Sequence, residues 1–291
     1  MQNYVRWAPS LGELAGTHQE AWGTESYDWR RHRNEPTCFL GMYDLRDYLA
    51  LWRHKGRKWI LWCGSDLLNL WHNFLFNDGK LQWLSRNVRF WSVHRKIISI
   101  INLAENWTEN ETEASVLRKL GIKVSGICPS FLGNIKNYSI SYKHSFNPKV
   151  YVSCSGDKAE MYGFDIVERI APKTPQIFFH LFGSNIWQSR QKNIICRGWI
   201  PKDQMNEEIK NMQCGLRLNE FDGFSEVCAK SILWGQYPIG KVKHPYIPSF
   251  NTEEELVALL NELSKKTKPN SEARDWYVKN LNCYPWVHAK I

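Results

Sequence analysis

The sequence predicts an α/β protein built as two doubly wound halves, each a mostly parallel sheet covered by helices. Three observations predict it. Short apolar runs alternate with helix-patterned segments, and strand–helix–strand units of this length imply parallel sheets. A polar stretch at 134–148, rich in Asn, Lys, Tyr, Ser and His, interrupts the alternation near its middle, and the same grammar restarts after it. The chain has 291 residues, 43% of them hydrophobic, which is enough for two cores. The halves are placed at 1–140 and 141–291.

Each element follows from local pattern. Residues 1–36 are aromatic, polar and glycine-containing without sustained periodicity, and read mostly as loop. Thr37–Gly41 reads as a strand, Leu45–His54 as a helix, and Lys58–Cys63 as a strand ending at Gly64–Ser65–Asp66. Lys96–Leu103 reads as a further strand. Glu109–Leu120 is a helix with carboxylates early and Arg118 and Lys119 late, as the helix dipole prefers. Gly121 ends it, and Ile122–Cys128 returns as a strand stopped by Pro129. In the second half, Lys149–Ser153, Gln176–Phe182, Asn193–Cys196, Cys214–Leu218 and Tyr237–Gly240 read as strands. Ala159–Ala171, Lys202–Lys210, Ser225–Leu233, Thr252–Lys265 and Ser271–Leu281 read as helices. Ligands of such sheets bind at the carboxyl ends of the strands.

Composition narrows the function. With 38 Lys and Arg against 29 Asp and Glu, the net charge is +9. That balance with ordinary charge content excludes a disordered chain, a collagen-like repeat and a small disulfide scaffold. No apolar run is long enough for a membrane span, and the N-terminus has no secretory pattern, so a cytoplasmic protein is expected. The eight cysteines are scattered without a Cys-x-x-Cys pair and read as reduced thiols. No Asp-x-Asp occurs, so no metal site and no cofactor is expected. Tryptophan is in excess, fifteen in all with nine before residue 92, which suggests a flat group to be held, though core packing alone would also use it.

The stretch richest in chemistry runs Gly215–Leu216–Arg217, then Glu220–Phe221–Asp222–Gly223–Phe224–Ser225 into a helix, then Gly235–Gln236–Tyr237–Pro238–Ile239. It is a strand, a glycine turn and a helix N-terminus, whose free amides from Gly223 to Glu226 would form an anion site. Arg217 would add charge to a diphosphate, and Asp222 would accept sugar hydroxyls. The same spacing also suits a plain strand–helix turn with Ser225 as its N-cap.

Asp-Gly-Phe-Ser followed by Gly-Gln-Tyr-Pro-Ile resembles the donor-binding signature of retaining glycosyltransferases of the GT-B architecture, the group 1 or family 4 type. Trp62–Cys63–Gly64–Ser65–Asp66, Leu120–Gly121–Ile122, Met161–Tyr162–Gly163 and Gly198–Trp199–Ile200 fall in the same order as pieces of that family. The resemblance covers roughly 37–265 and implies two Rossmann-like domains facing across a cleft. It also implies transfer of a sugar from a nucleoside diphosphate, UDP above all, to a hydroxyl with retention and without a metal. Asp222 would contact the transferred sugar. Gly223, Phe224 and Ser225 would meet the diphosphate, with Arg217 and Lys158 as cations, and Trp199 and Ile200 would receive the base. Two departures stand out. The second acidic position of the signature holds Lys230, which cannot accept ribose hydrogen bonds, leaving Glu226 one turn earlier as the substitute. The basic pair after the second half's first strand is replaced by Asp157 and Tyr162, with Lys158 nearby.

The first half is the expected acceptor side. His18, in the loop Leu11–His18, and Asp66 are its candidate proton acceptors. Basic clusters at Arg30–Arg33, Arg53–Lys58 and Arg86–Lys96, interleaved with tryptophan, suit a polyanion whose flat groups stack. The acceptor that best unites charge and indoles is nucleic acid, for instance a hydroxymethylated base in viral DNA flipped out for reaction, in which case the compartment is the host cytoplasm. A surface glycan or protein acceptor is the variant. A catalytically silent module that kept the fold and binds nucleic acid or nucleotide is the competing class, favoured by Lys230.

Overall fold

The structure, a computed structural model, describes residues 2–14, 16–72, 91–156 and 158–288. Asp157 and residues 86–90 of the third basic cluster lie outside the described residues. The chain forms two compact units, Met1–Asn134 with Asp222–Phe224 and Asn280–Ile291, and Ile135–Phe221 with Ser225–Lys279. The division at 134/135 falls at the start of the polar stretch 134–148. The segment from Asn280, expected in the second half, belongs to the first.

In the first unit the strands are β1 (Tyr4–Trp7), β2 (Glu25–Ser26), β3 (Thr37–Leu40), β4 (Lys58–Leu61), β5 (Glu105–Thr108) and β6 (Val124–Ile127). They form one sheet in the order β2-β1-β3-β4-β5-β6. Every pairing is parallel, with Thr37–Leu40 in register against Lys58–Leu61. The central β3, Thr-Cys-Phe-Leu, is buried on both faces, as a strand covered on both sides requires. The helices are α1 (Thr17–Trp22), α2 (Leu45–Arg53), α3 (Ser65–Trp71), α4 (Trp91–Ile101) and α5 (Glu111–Lys119). Asp44 and Asp47 close a capping box on α2, and the Asn110 side chain caps α5 through the Glu113 amide.

Two expectations are corrected here. Residues 1–36 hold β1, α1 and β2 rather than mostly loop. Lys96–Leu103, read as a strand, lies largely within helix α4; Ile97 and Ile101, one turn apart, are its buried residues while Arg95 and Lys96 are exposed. The tryptophans of the described residues divide between core and surface. Trp22, Trp59, Trp62 and Trp286 are fully buried, and Tyr284 stacks on Trp286 with ring centroids 4.5 Å apart.

The second unit holds β7 (Lys149–Ser153), β8 (Phe178–Phe182), β9 (Ile194–Gly198), β10 (Cys214–Arg217) and β11 (Ile239–Gly240). The order β11-β10-β7-β8-β9, all parallel, reverses direction between β7 and β10, which makes their carboxyl ends the switch point of the sheet. Its helices are α6 (Phe164–Ile170), α7 (Lys202–Ile209), α8 (Glu226–Leu233), α9 (Glu253–Asn261) and α10 (Ser271–Asn280). α6 starts later than the expected Ala159 because Gly163, at φ +80°, turns the chain where a Cβ would lie 2.5 Å from Leu218. No helix of the described residues is long and apolar enough to cross a membrane.

Candidate functional site

The carboxyl edge of the second sheet carries a cavity of about 240 Å³. It is lined by Ser153 and Cys154 after β7, Phe182 and Gly183 after β8, Trp199 and Ile200 after β9, and Lys202 and Met205 of α7. Trp199 is 64% exposed, so its indole is a wall and not core. The Asn185 side chain accepts the Trp199 amide at 2.8 Å and fixes the backbone beneath that wall. At the end of β10, the Arg217 guanidinium lies 4.7 Å over the Tyr162 ring. Lys158 is exposed.

Ser225 caps α8, its hydroxyl accepting the Cys228 amide at 3.2 Å. One turn in, Lys230 is 3% exposed and its ammonium lies 3.1 Å from Glu226, whose other oxygen lies 3.4 Å from the Lys202 ammonium. Burial opposes ionisation of Glu226, but the two ammonium groups hold its carboxyl below the usual range. Burial lowers Lys230, and Glu226 pulls it back. The lysine in place of the expected acid is thus the buried partner of the glutamate beside it.

The turn before α8, Asp222–Gly223–Phe224, packs with the first unit. Gly64 has φ +80°, and a Cβ there would lie 2.9 Å from the Gly223 amide nitrogen. The two glycine turns singled out in the sequence therefore back directly onto each other. On the other side stands Glu109, buried at the end of β5. Its Oε2 accepts the Phe224 amide at 2.8 Å, and its Oε1 accepts both the Ser130 amide at 3.1 Å and the Ser130 hydroxyl. The Asn110 side-chain amide donates to the Asp222 carbonyl at 2.9 Å, and the Gly223 amide to the Asp222 carboxylate at 3.0 Å. A Cβ on Gly223 would lie 1.9 Å from Glu109 Oε2, so any side chain there must displace that carboxyl from its donors. The amides of Gly223 and Phe224, expected to be free for an anion, are already taken by carboxylates. Burial pushes the Glu109 carboxyl up to about 8, against the hydrogen bonds from Ser130 and Phe224. Burial and neighbouring Glu109 hold Glu113, whose Oε2 accepts the Glu109 amide at 2.8 Å, well above the carboxylate range.

The acceptor-side candidates are placed differently from the sequence reading. His18 is not in a loop but in α1, fully buried; its Nδ1 pairs with the Thr24 hydroxyl at 2.7 Å, and its Nε2 has no partner. Burial lowers it to about 4, so the ring is neutral. Asp66 is fully buried, accepting the amides of Met42 at 3.0 Å, Cys63 at 2.9 Å and Leu67 at 2.8 Å. Its carboxyl, pushed up to about 6 by burial, holds the Trp62–Asp66 turn together. Glu109, Asn110, Ser130 and Glu113 were not singled out from sequence; the early carboxylates of α5 carried a helix-dipole explanation, and only tertiary contact reveals their partners. Among the described residues, no group of three or more His, Cys, Asp or Glu is arranged to hold a metal.

No protein-family model matches the sequence, and no curated protein matches it. Solved structures do match by fold. TarM superposes with a TM-score of 0.54 at 11% identity over 85% of this chain, which spans only 52% of TarM. HepE of Anabaena, in complex with UDP-glucose, matches at 0.55 and 12% identity over 96% of this chain and 95% of its own. Sucrose-phosphate synthase from Thermosynechococcus elongatus matches at 0.61 and 9% identity over 96% and 94%. These neighbours are glycosyltransferases of the GT-B architecture. At such identities the likeness is one of fold, and the fold class is that of GT-B proteins, two Rossmann-like units with parallel sheets.

Proposed function

We propose that the protein is a glycosyltransferase that moves a sugar from a UDP-sugar to a hydroxyl acceptor, with retention and without a metal. The observation that carries this reading is the carboxyl edge of the second sheet, where the capped N-terminus of α8 and the Trp199-walled cavity both lie. A helix N-terminus attracts a diphosphate, and an aromatic-walled cavity suits a base. HepE holding UDP-glucose on a similar fold supports UDP as the nucleotide.

Departure of UDP from the anomeric carbon builds charge on the diphosphate. The Ser225 and Glu226 end of α8, with Arg217 and Lys158, is assigned to that charge, which is the term a preorganised site stabilises most. Gly223 and Phe224 shape the turn, since their amides are occupied. Asp222 is assigned to the hydroxyls of the transferred sugar. Glu226, kept ionised by Lys202 and Lys230, is assigned to the ribose hydroxyls, and Trp199 and Ile200 to the base. A same-face displacement needs no protein nucleophile; His18, buried and neutral with Nε2 unpartnered, and Asp66, which holds the Trp62–Asp66 turn, are the acceptor-side proton acceptors of the proposal. A hydroxymethylated base in DNA belongs to the proposal as acceptor on charge and indole content alone. A cytoplasmic setting accords with eight scattered cysteines and no Cys-x-x-Cys pair.

A second reading, a silent module that binds nucleotide, draws on the buried Lys230–Glu226 pair. Release of UDP from common UDP-sugars separates the two. The enzyme reading expects release that persists in a chelator and is lost in Asp222→Ala. UDP bound without turnover favours the module, and neither binding nor turnover overturns both.

A further inference from the structure

The opposite edge of the first sheet, where its strands begin, is built from two short loops that enter β3 and β4. Backbone hydrogen bonds stitch them together. The Lys55 and Gly56 amides donate to the Arg33 carbonyl at 2.9 and 3.2 Å, and the Thr37 amide to the Arg57 carbonyl at 2.9 Å. The Arg33 side chain donates through Nε to the Arg53 carbonyl at 2.7 Å. Gly56 is required, because a Cβ there would lie 2.4 Å from the Glu35 carbonyl oxygen. From below, Tyr4 stacks on His32 with ring centroids 3.9 Å apart, and buried His54 meets the Tyr27 hydroxyl at 3.2 Å.

That fixed backbone presents exposed Arg30, Arg31, Arg33, Arg53, Lys55 and Arg57. Among the described residues the acids at this edge are Asp28, 4.0 Å from Arg31, Glu105, 2.8 Å from Arg57, and the exposed Glu25 and Glu35. Two indoles stand among the cations with their faces in solvent. Trp29 is 66% exposed, with the Arg30 guanidinium 5.6 Å from its ring, and Trp52 is 55% exposed beside Arg53 in the last turn of α2. The same unit buries Trp22, Trp59 and Trp62 and leaves Trp29, Trp52 and, at the end of α3, Trp71 exposed. Cations on a rigid backbone track phosphates, and open indole faces stack bases regardless of sequence.

We propose that this edge is a docking surface for single-stranded nucleic acid. The exposed rings favour a single strand over a duplex, whose bases are already stacked on each other. The surface does not rest on the glycosyltransferase reading, whose turn at Gly64 and Asp222 lies at the far ends of the same strands.

Anisotropy of a labelled oligothymidylate tests it on the full chain. Binding is expected to weaken steeply between about 50 and 200 mM salt, with a slope near −0.7 per phosphate contacted. The Trp29→Ala, Trp52→Ala pair should weaken binding about tenfold or more and abolish the quenching of protein fluorescence by the strand. Arg30→Ala with Arg53→Ala should make the salt slope shallower by about 1.4. Circular dichroism should be unchanged in both pairs, and so should UDP release from UDP-sugars measured without any nucleic acid. No binding, binding as tight to a duplex or to phosphatidylserine vesicles, or binding indifferent to the indole pair would each overturn the proposal.

Discussion

The two ends of the first sheet use charge in opposite ways. At the carboxyl end, Asp66, Glu109 and Glu113 are buried and accept backbone amides, so that each carboxyl holds a turn in place. At the amino end, six cations are exposed and bear mostly on solvent. The buried acids are the structural charges of the unit, and the exposed bases are its surface. The net positive charge of the chain therefore says nothing about the environment of Asp222, where the local groups are carboxyls.

The sharpest way to break that contrast is at Gly223. A methyl group 1.9 Å from Glu109 Oε2 forces the turn off its acceptor, so Gly223→Ala should cost several kcal/mol, about 3 or more, in urea unfolding. The clash is with one side chain, so Glu109→Ala in the same molecule should return part of that loss. Additive single effects in the double-mutant cycle would show that the turn and Glu109 do not touch as described.

Glu109→Ala alone comes next. It leaves the Phe224 amide and two Ser130 donors without their acceptor, each costing about 1–3 kcal/mol where water cannot reach, offset by release of a buried acid. A net loss of about 2–3 kcal/mol is expected, with Glu109→Gln intermediate because an amide has one acceptor oxygen for both sides. If the proposed function holds, Asp222→Ala should lower turnover at least tenfold while leaving the melting temperature within a few degrees.

The pH dependence sharpens the comparison more gently. Glu109 has a folded pKa raised above its unfolded value, so the folded state binds more protons between them. Its contribution to stability is complete below about 4.5 and is lost as pH rises toward about 8. His18, His54 and His180 act in the opposite sense, each lowered to about 4, and reduce stability as pH falls below about 6.5. Above neutrality the histidines are silent, and the melting temperature should fall from pH 7 to pH 9. In Glu109→Gln that fall should be shallower. An equal slope in both proteins would remove Glu109 from the account.

How much of this was legible depends on where the partners lie. The second sheet was readable nearly element by element, because Lys149–Ser153 and Phe178–Phe182 are short apolar runs between turn residues. β5, Glu-Asn-Trp-Thr, was missed since its buried residues are polar. Asn106 is satisfied by the carbonyls of Ile101 and Ala104 and by the Trp62 indole, none of which a periodicity reveals. The isoleucines of α4 fit a strand or a helix equally, and packing decided. The Asp222–Ser225 turn was visible as chemistry, but its acceptor is 115 residues earlier in the chain. Lys230 showed as a departure from the family pattern, and its meaning came only with the distance to Glu226.

The smallest expected effect lies at the amino end and completes the contrast. Arg57 and Glu105 make the best-formed ion pair there, 2.8 Å apart, yet their side chains are 59% and 39% exposed. Water and salt screen such a pair, and ordering two long side chains offsets most of its Coulombic gain, leaving about 0–1 kcal/mol. Arg57→Ala should therefore shift the unfolding midpoint by no more than about a third of what Gly223→Ala does, and raised salt should erase most of it. The guanidinium also lies 4.9 Å from the Trp59 ring, so the residual loss should survive salt only to the extent that this contact is packing and not charge. A loss of about 2 kcal/mol or more from Arg57→Ala, insensitive to salt, would mean that the amino edge is held by its cations after all.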